Sequence, residues 1–173
     1  MTAKELLERY AAGERDFSGI YISGLEDRVS KGDLEGANLQ AAIFRNAKLS
    51  RIDLTGADLR GADFTGADIG YTPIDHANLE SAIFRDASLG DVTFEKANLR
   101  RTDWRGAGMR PVCFMYADLE GANFRQAHMT RTVFKGANLR NADFTGAILS
   151  ECDLERTDLS HIIGLVPNDS YLS

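Results

Sequence analysis

From Leu34 to Leu159 every fifth residue is large and apolar, and the 26 positions run without an insertion. We call this position the centre. Two residues before it the side chain is small, alanine in 17 of the 26 cases, and one residue before it 15 of the 26 are Asp or Asn. Ala-Asp-Leu is thus apolar, polar, apolar, the alternation of a short strand with one buried face. The next two residues, as in Thr55-Gly56 and Thr65-Gly66, are mostly polar and read as a turn, where Gly tolerates the positive φ of a tight corner. A helix is excluded, because a step of five walks around a 3.6-residue helix and leaves no apolar stripe.

Residue type repeats again at every fourth centre. Phe44, Phe64, Phe84, Trp104, Phe124 and Phe144 form an aromatic column, and Leu39, Leu59, Leu79, Leu99, Leu119, Leu139 and Leu159 a leucine column. Leu49, Ile69, Leu89, Met109, Met129 and Leu149 form an aliphatic third column; Leu34, Leu54, Ile74, Phe94, Phe114, Phe134 and Leu154 form a mixed fourth. Like residues recurring every 20 positions predict a four-sided solenoid in which each column stacks along its own wall.

The units Ala57-Asp58-Leu59-Arg60-Gly61 and Ala137-Asn138-Leu139-Arg140-Asn141 resemble the A(D/N)LXX motif of the pentapeptide-repeat family, and the likeness extends over residues 32–161. The resemblance implies an all-β fold, a right-handed quadrilateral β-helix. Pro73, Gly108, Pro111 and the apolar Ile43, Ile83, Val133 and Ile148 depart from the motif, and the expectation is a change in local turn geometry only.

A solenoid leaves backbone unpaired at both ends, so caps are expected. Thr2-Ala3-Lys4-Glu5 fits a capping box, Leu6, Leu7, Tyr10 and Ala11 share one helical face, and Gly13 suits a C-terminal stop. These predict a short N-terminal capping helix near residues 3–12. Phe17 and Ile22 read as the centres of two further repeats, followed by a loop over 25–31, while Ile162, Ile163, Leu165 and Val166 are expected to fold over the far end. The predicted organisation is 1–31 for the helix, first two repeats and loop, 32–161 for the β-helix, and 162–173 for a C-terminal cap.

Composition narrows the class. The chain has 173 residues, 43% hydrophobic and 27% charged, which fits one folded unit rather than a disordered one. No apolar run reaches the length of a membrane span and the N-terminus lacks a signal peptide's pattern, so a cytoplasmic place without membrane contact is expected. Cys113 and Cys152 agree with a reducing compartment. A net charge of −6 disfavours direct nucleic-acid binding.

Any function falls to the outward positions. After the leucine column Arg60, Glu80, Arg100, Glu120 and Arg140 alternate in sign, which reads as a solvated ion-pair ladder. After the aromatic column Arg45, Arg85, Arg105 and Arg125 form a basic ridge, either receptive to an anionic partner or screened by Asp63, Asp103 and Asp143. Tyr71, Pro73, His76, Pro111, Met115 and Tyr116, with Cys113 beside them, make an exposed strip that reads either as a protein contact or as turn variation. The Ile162-Ile163 tail reads as a cap or as a homodimer contact through an end of the rod.

Motifs for chemistry are nearly absent. His76, His128 and His161 fall in three different columns and form neither a ligand cluster nor an obvious Ser-His-Asp set. The aspartates ahead of the centres recur throughout, so they read as turn caps rather than paired catalytic or calcium-binding carboxylates. The expectation is a non-catalytic protein-binding scaffold with no cofactor and no metal. The alternative, implied by the resemblance, is a DNA-mimicking modulator of DNA gyrase or another type II topoisomerase. The mixed surface charges fit that alternative poorly, and the projecting loops that some quinolone-protecting members of the family use are missing from 32–161.

Overall fold

Three residues run straight and two turn, unit after unit, in the computed structural model, which describes residues 1–23 and 34–165. The turn closes by a backbone hydrogen bond: Ala47 N–H donates to the Phe44 carbonyl at 3.0 Å, and Ala62 N–H to that of Leu59 at 3.0 Å. The second residue after each centre, from Gly36 to Arg156, has φ between 52° and 72°, save Pro111. Its ring locks φ near −65°, so this corner turns differently. Elsewhere Arg101, Tyr71 and His76 hold the left-handed conformation that glycine adopts without strain. The inter-coil ladder holds them there, as Arg101 N–H donates to the Glu120 carbonyl at 3.0 Å.

Successive coils lie in parallel register. Leu59 N–H donates to the Asn78 carbonyl at 2.7 Å, and Asn78 N–H to that of Ala57 at 2.9 Å. On the third wall β1 (Tyr21–Ser23), β2 (Lys48–Ser50), β3 (Asp68–Gly70), β4 (Ser88–Gly90), β6 (Gly108–Met109), β8 (His128–Thr130) and β9 (Ile148–Ser150) form a seven-stranded parallel sheet. On the fourth wall β5 (Val92–Thr93) pairs with β7 (Val112–Cys113). Single parallel bridges such as Asp58 to Asn78 and Asp63 to Ile83 hold the other two walls. The departures keep this register: Ile83 N–H still donates to the Ala62 carbonyl at 2.9 Å, and Ile74, just after Pro73, to that of Thr93 at 2.7 Å. The fold is therefore a quadrilateral parallel β-helix, the four-sided solenoid that the 20-residue recurrence predicts.

Inside, the columns stack as their periodicity requires. Every centre from Leu34 to Leu154 is buried. Phe64 and Phe84 are 4.8 Å apart and 8° from parallel, and Phe84 and Trp104 4.1 Å apart. Phe94, Phe114 and Phe134 stack in their own column and meet the aromatic column edge-on, as Phe94 meets Trp104 at 5.6 Å and 86°. Both geometries suit the ring quadrupole. Leu159, on the final coil, is 37% exposed.

At the front, α1 (Ala3–Ala11) carries the expected capping box: Thr2 Oγ1 accepts from Glu5 N–H at 3.1 Å and Glu5 Oε2 from Thr2 N–H at 2.8 Å. Leu6 is buried over the first coil, where a cavity of about 10 Å³ remains beside Ile22 and Leu34. The buried face is Ala3 and Leu6, with Leu7 and Tyr10 packed at its edge, whereas Ala11 is exposed, because the helix ends there. Phe17 stacks on Phe44 at 5.7 Å and Ile22 pairs with Leu49, so both are true centres. Leu49 pairs in turn with Ile69, which makes the connection from Ile22 to Leu49 seven residues longer than the regular coil. The loop expected over 25–31 lies outside the described residues. At the far end Ile163 bridges Asp143 in parallel and accepts from Phe144 N–H at 2.7 Å. Gly164, with φ of 72°, stands where the next centre would fall, and Val166 lies outside the described residues.

Candidate binding surface

The basic ridge is charge-compensated. Arg45 Nε lies 2.6 Å from Asp63 Oδ2 and Arg85 Nε 2.6 Å from Asp103 Oδ2, each reaching to the following coil. Arg105 also meets Asp103, at 2.8 Å, and Arg125 meets Asp143 at 3.2 Å. Burial alone would raise the Asp103 carboxyl; hydrogen bonds from Arg105 and Arg85 outweigh it and hold the group below the usual carboxylate range. Asp63 and Asp143 are lowered likewise, against burial, by Thr65 with Arg45 and by Thr145 with Arg125. The same carboxylates cap turns: Asp63 Oδ1 accepts from Thr65 N–H at 2.9 Å and Asp143 Oδ1 from Thr145 N–H at 2.8 Å. On the leucine wall Arg100 bonds Glu120 at 2.6 Å and Asp118 at 3.1 Å, and Arg60 bonds Asp58 at 2.6 Å.

The strip lies across the fourth wall and its two corners. Tyr71 and Pro111 share one corner, and His76 and Tyr116 the opposite one, two coils apart in each case; Pro73, Cys113 and Met115 lie half-buried between them. The intervening coil interrupts the strip with Asp91, Glu95 and Lys96, the last two paired at 2.9 Å. Tyr71 is 56% exposed with the Arg51 guanidinium 4.6 Å from its ring centroid. Tyr116 is 48% exposed, and its ring lies over Gly136, where a Cβ would stand 2.7 Å from it. Burial raises the Cys113 thiol, which disfavours its thiolate form.

Around the Tyr71 corner lies a groove that sequence reasoning did not single out. It runs over β3, β4, β6 and β8, holds about 550 Å³, and is floored by Ser88, Gly90 and Gly108. Its signal is a lack of side chains: most outward positions flanking the third column are small. Asp68 and Asp91 stand toward one end, and Arg110 and His128 toward the other.

The final coil brings Asp158, Ser160 and His161 together, which the column assignment did not foresee. Ser160 Oγ donates to Asp158 Oδ1 at 2.6 Å and lies 2.7 Å from His161 Nδ1. Serine sits between acid and imidazole, so no carboxylate orients the histidine, and all three are exposed. His76 and His128 are exposed on other walls. Among the described residues no group of three His, Cys, Asp or Glu side chains is placed to hold a metal ion, and no helix is long and apolar enough to cross a membrane.

A β-helix of this kind, with stacked apolar columns and Asx-capped turns, defines a repeat-protein scaffold. The chain belongs to the pentapeptide-repeat family: the family's pattern, described as pentapeptide repeats (8 copies), matches residues 33–69, 74–107, 113–150 and 137–161. No curated protein matches. Among solved structures the chain is similar to HetL, a pentapeptide repeat protein involved in heterocyst differentiation regulation from Nostoc sp. strain PCC 7120. The two are 26% identical over 94% of this chain and 92% of that one, with a TM-score of 0.36. Rfr23 from Cyanothece 51142 is 20% identical over 89% and 97%, with a TM-score of 0.46. QnrB1, a plasmid-mediated fluoroquinolone resistance protein, is 17% identical over 90% of each chain, with a TM-score of 0.43.

Proposed function

We propose that the chain is a non-catalytic protein-binding scaffold that presents its third and fourth walls to a partner. The observation that carries this reading is the pair Tyr71 and Tyr116. Each is about half exposed at a left-handed corner, with φ of 52° and 58°. Neither corner needs a tyrosine: Gly56 and Gly136 take the place of Tyr116 in other coils, and Arg51 and Arg131 that of Tyr71, with the same left-handed conformation. Aromatic side chains held outward on a rigid frame are the usual anchors of a protein interface. Among the described residues the stacked columns fill the core, and the groove over the third wall is open to solvent.

The test is capture of a partner by the immobilised chain, with a Tyr71→Ala, Tyr116→Ala double variant in parallel. A partner held by the parent chain and lost with the variant supports the reading; no partner above that held by an unrelated β-helix overturns it. The topoisomerase-directed alternative asks for a largely one-signed surface, whereas Arg45, Arg85, Arg105 and Arg125 are matched by Asp63, Asp103 and Asp143. Gyrase supercoiling is accordingly expected to be unaffected by excess chain.

A further inference from the structure

Arg110 differs from every other arginine among the described residues. The others meet a carboxylate, a backbone carbonyl, a ring or, as Arg140 does with Asp158, a nearby charge. Arg110 donates its backbone N–H to the Leu89 carbonyl, but its guanidinium has no such partner, and it stands exposed at the rim of the third-wall groove. In a surface where opposite charges are so regularly matched between coils, an unmatched cation beside an open trough points to a matching charge from elsewhere.

We propose that this groove docks an extended segment of a partner protein that carries an acidic residue and, about three to four residues away, a Lys or Arg. The proposal rests on the protein-binding reading above and names the surface and chemistry of contact. The acidic side chain meets Arg110 and His128; the basic one meets Asp68 and Asp91. The spacing follows from the fold. Asp68 and His128 occupy the same register on β3 and β8, three coils apart along β3, β4, β6 and β8. At about 4.8 Å per coil this is about 14 Å, and Arg110, on the coil of β6, is about 10 Å from the coil of Asp68, so an extended peptide covers the span in about three to four residues at ~3.3 Å each. Between the charged ends the floor is Ser88, Gly90 and Gly108, so a bulky side chain of the segment finds room there. An open trough of 550 Å³ suits a chain running along the rod better than an enclosed small molecule. The presence of both signs disfavours a nucleic-acid backbone.

Gly108 makes the groove testable. A Cβ added there meets nothing within 4 Å, so Gly108→Leu fills the floor without disturbing the coil. The experiment selects displayed random nine-residue peptides on the immobilised full chain and titrates the enriched peptides, as synthetic fluorescent probes, against variants. The expected motif pairs Asp or Glu with Lys or Arg at a separation of about three to four, in either chain direction. Affinity should fall about tenfold or more with Gly108→Leu and with Arg110→Glu, and stay within about twofold with Arg85→Glu on the paired ridge. Ser88→Leu, on the same floor, serves if Gly108→Leu fails to fold. Enriched peptides without the charge pair, affinity unchanged by the floor and Arg110 variants, or no enrichment at all, overturn the groove. A captured protein partner indifferent to these variants overturns the groove and leaves the scaffold reading standing; a chain that captures no protein overturns that reading.

Discussion

Trp104 Nε1–H donates to Thr102 Oγ1 at 2.7 Å in the middle of the core, and both residues are fully buried. In this column every other centre is Phe and every other residue two before it, from Ala42 to Ala142, is Ala. The one indole thus arrives with the one hydroxyl that satisfies it, and Thr102 in turn donates to the Leu99 carbonyl at 2.7 Å. A buried N–H without a partner costs about 1–3 kcal/mol. Thr102→Ala should therefore cost about that much in denaturant unfolding with Trp104 in place, and clearly less in a Trp104→Phe background. Equal costs in both backgrounds would show that the pair is not coupled.

Phe84 is stacked between Phe64 and Trp104 and meets Phe94 edge-on. Phe84→Ala opens a cavity that stiff stacked neighbours cannot close, at about 3–5 kcal/mol. A loss under about 1 kcal/mol in equilibrium unfolding would contradict a tightly stacked column.

Asp103 joins Arg85 and Arg105, and its folded-state pKa lies below the ordinary value. Its stabilisation is present above the unfolded carboxyl pKa of about 3.9 and is lost as pH falls through the lower folded value. Asp103→Asn should cost about 1 kcal/mol at pH 7, since its arginine partners are half exposed and screened. The gap between parent and variant should shrink with added salt and close in strong acid. A gap that persists there would assign the effect to packing.

Two glycines separate strain from space. Gly61 has φ of 65° and open space at its Cβ position, so Gly61→Ala should cost about 1 kcal/mol from backbone strain alone. Gly108 needs no positive φ and also has room, so Gly108→Ala should stabilise by about 0.5 kcal/mol through the unfolded chain. Thermal unfolding of the two variants reads the opposite signs; matching signs would contradict the corner geometry.

What was legible in the chain was whatever its period enforces. Stacking Phe64 on Phe84 demands one wall, so the columns followed from spacing alone. The Asp103 pairing was within reach, because register places it beside Arg85. The left-handed corners at Arg101 and Tyr71 were not legible, because the inter-coil ladder imposes them and residue type does not. At the corner after the aromatic column, Asn46, Gly66, Asp86, Gly106, Gln126 and Gly146 alternate long side chain with glycine, and the Asn46 and Asp86 carboxamide and carboxylate lie over the glycines one coil on. That alternation was readable but shows its purpose only once coils are stacked. The groove escaped notice because it consists of missing side chains, and Arg110 because its isolation is a property of its neighbours. The face of α1 was assigned one residue too far, at Ala11, where helix periodicity alone does not mark the end.

The most direct measurement is a hydroxyl-radical footprint of the chain bound to a captured partner. The scaffold account predicts protection on the third and fourth walls, at Tyr71, Met115, Tyr116 and His128, with the ridge around Arg85, Arg105 and Arg125 as reactive as in the free chain. Protection concentrated on that ridge, or none on Tyr71 and Tyr116, would contradict it.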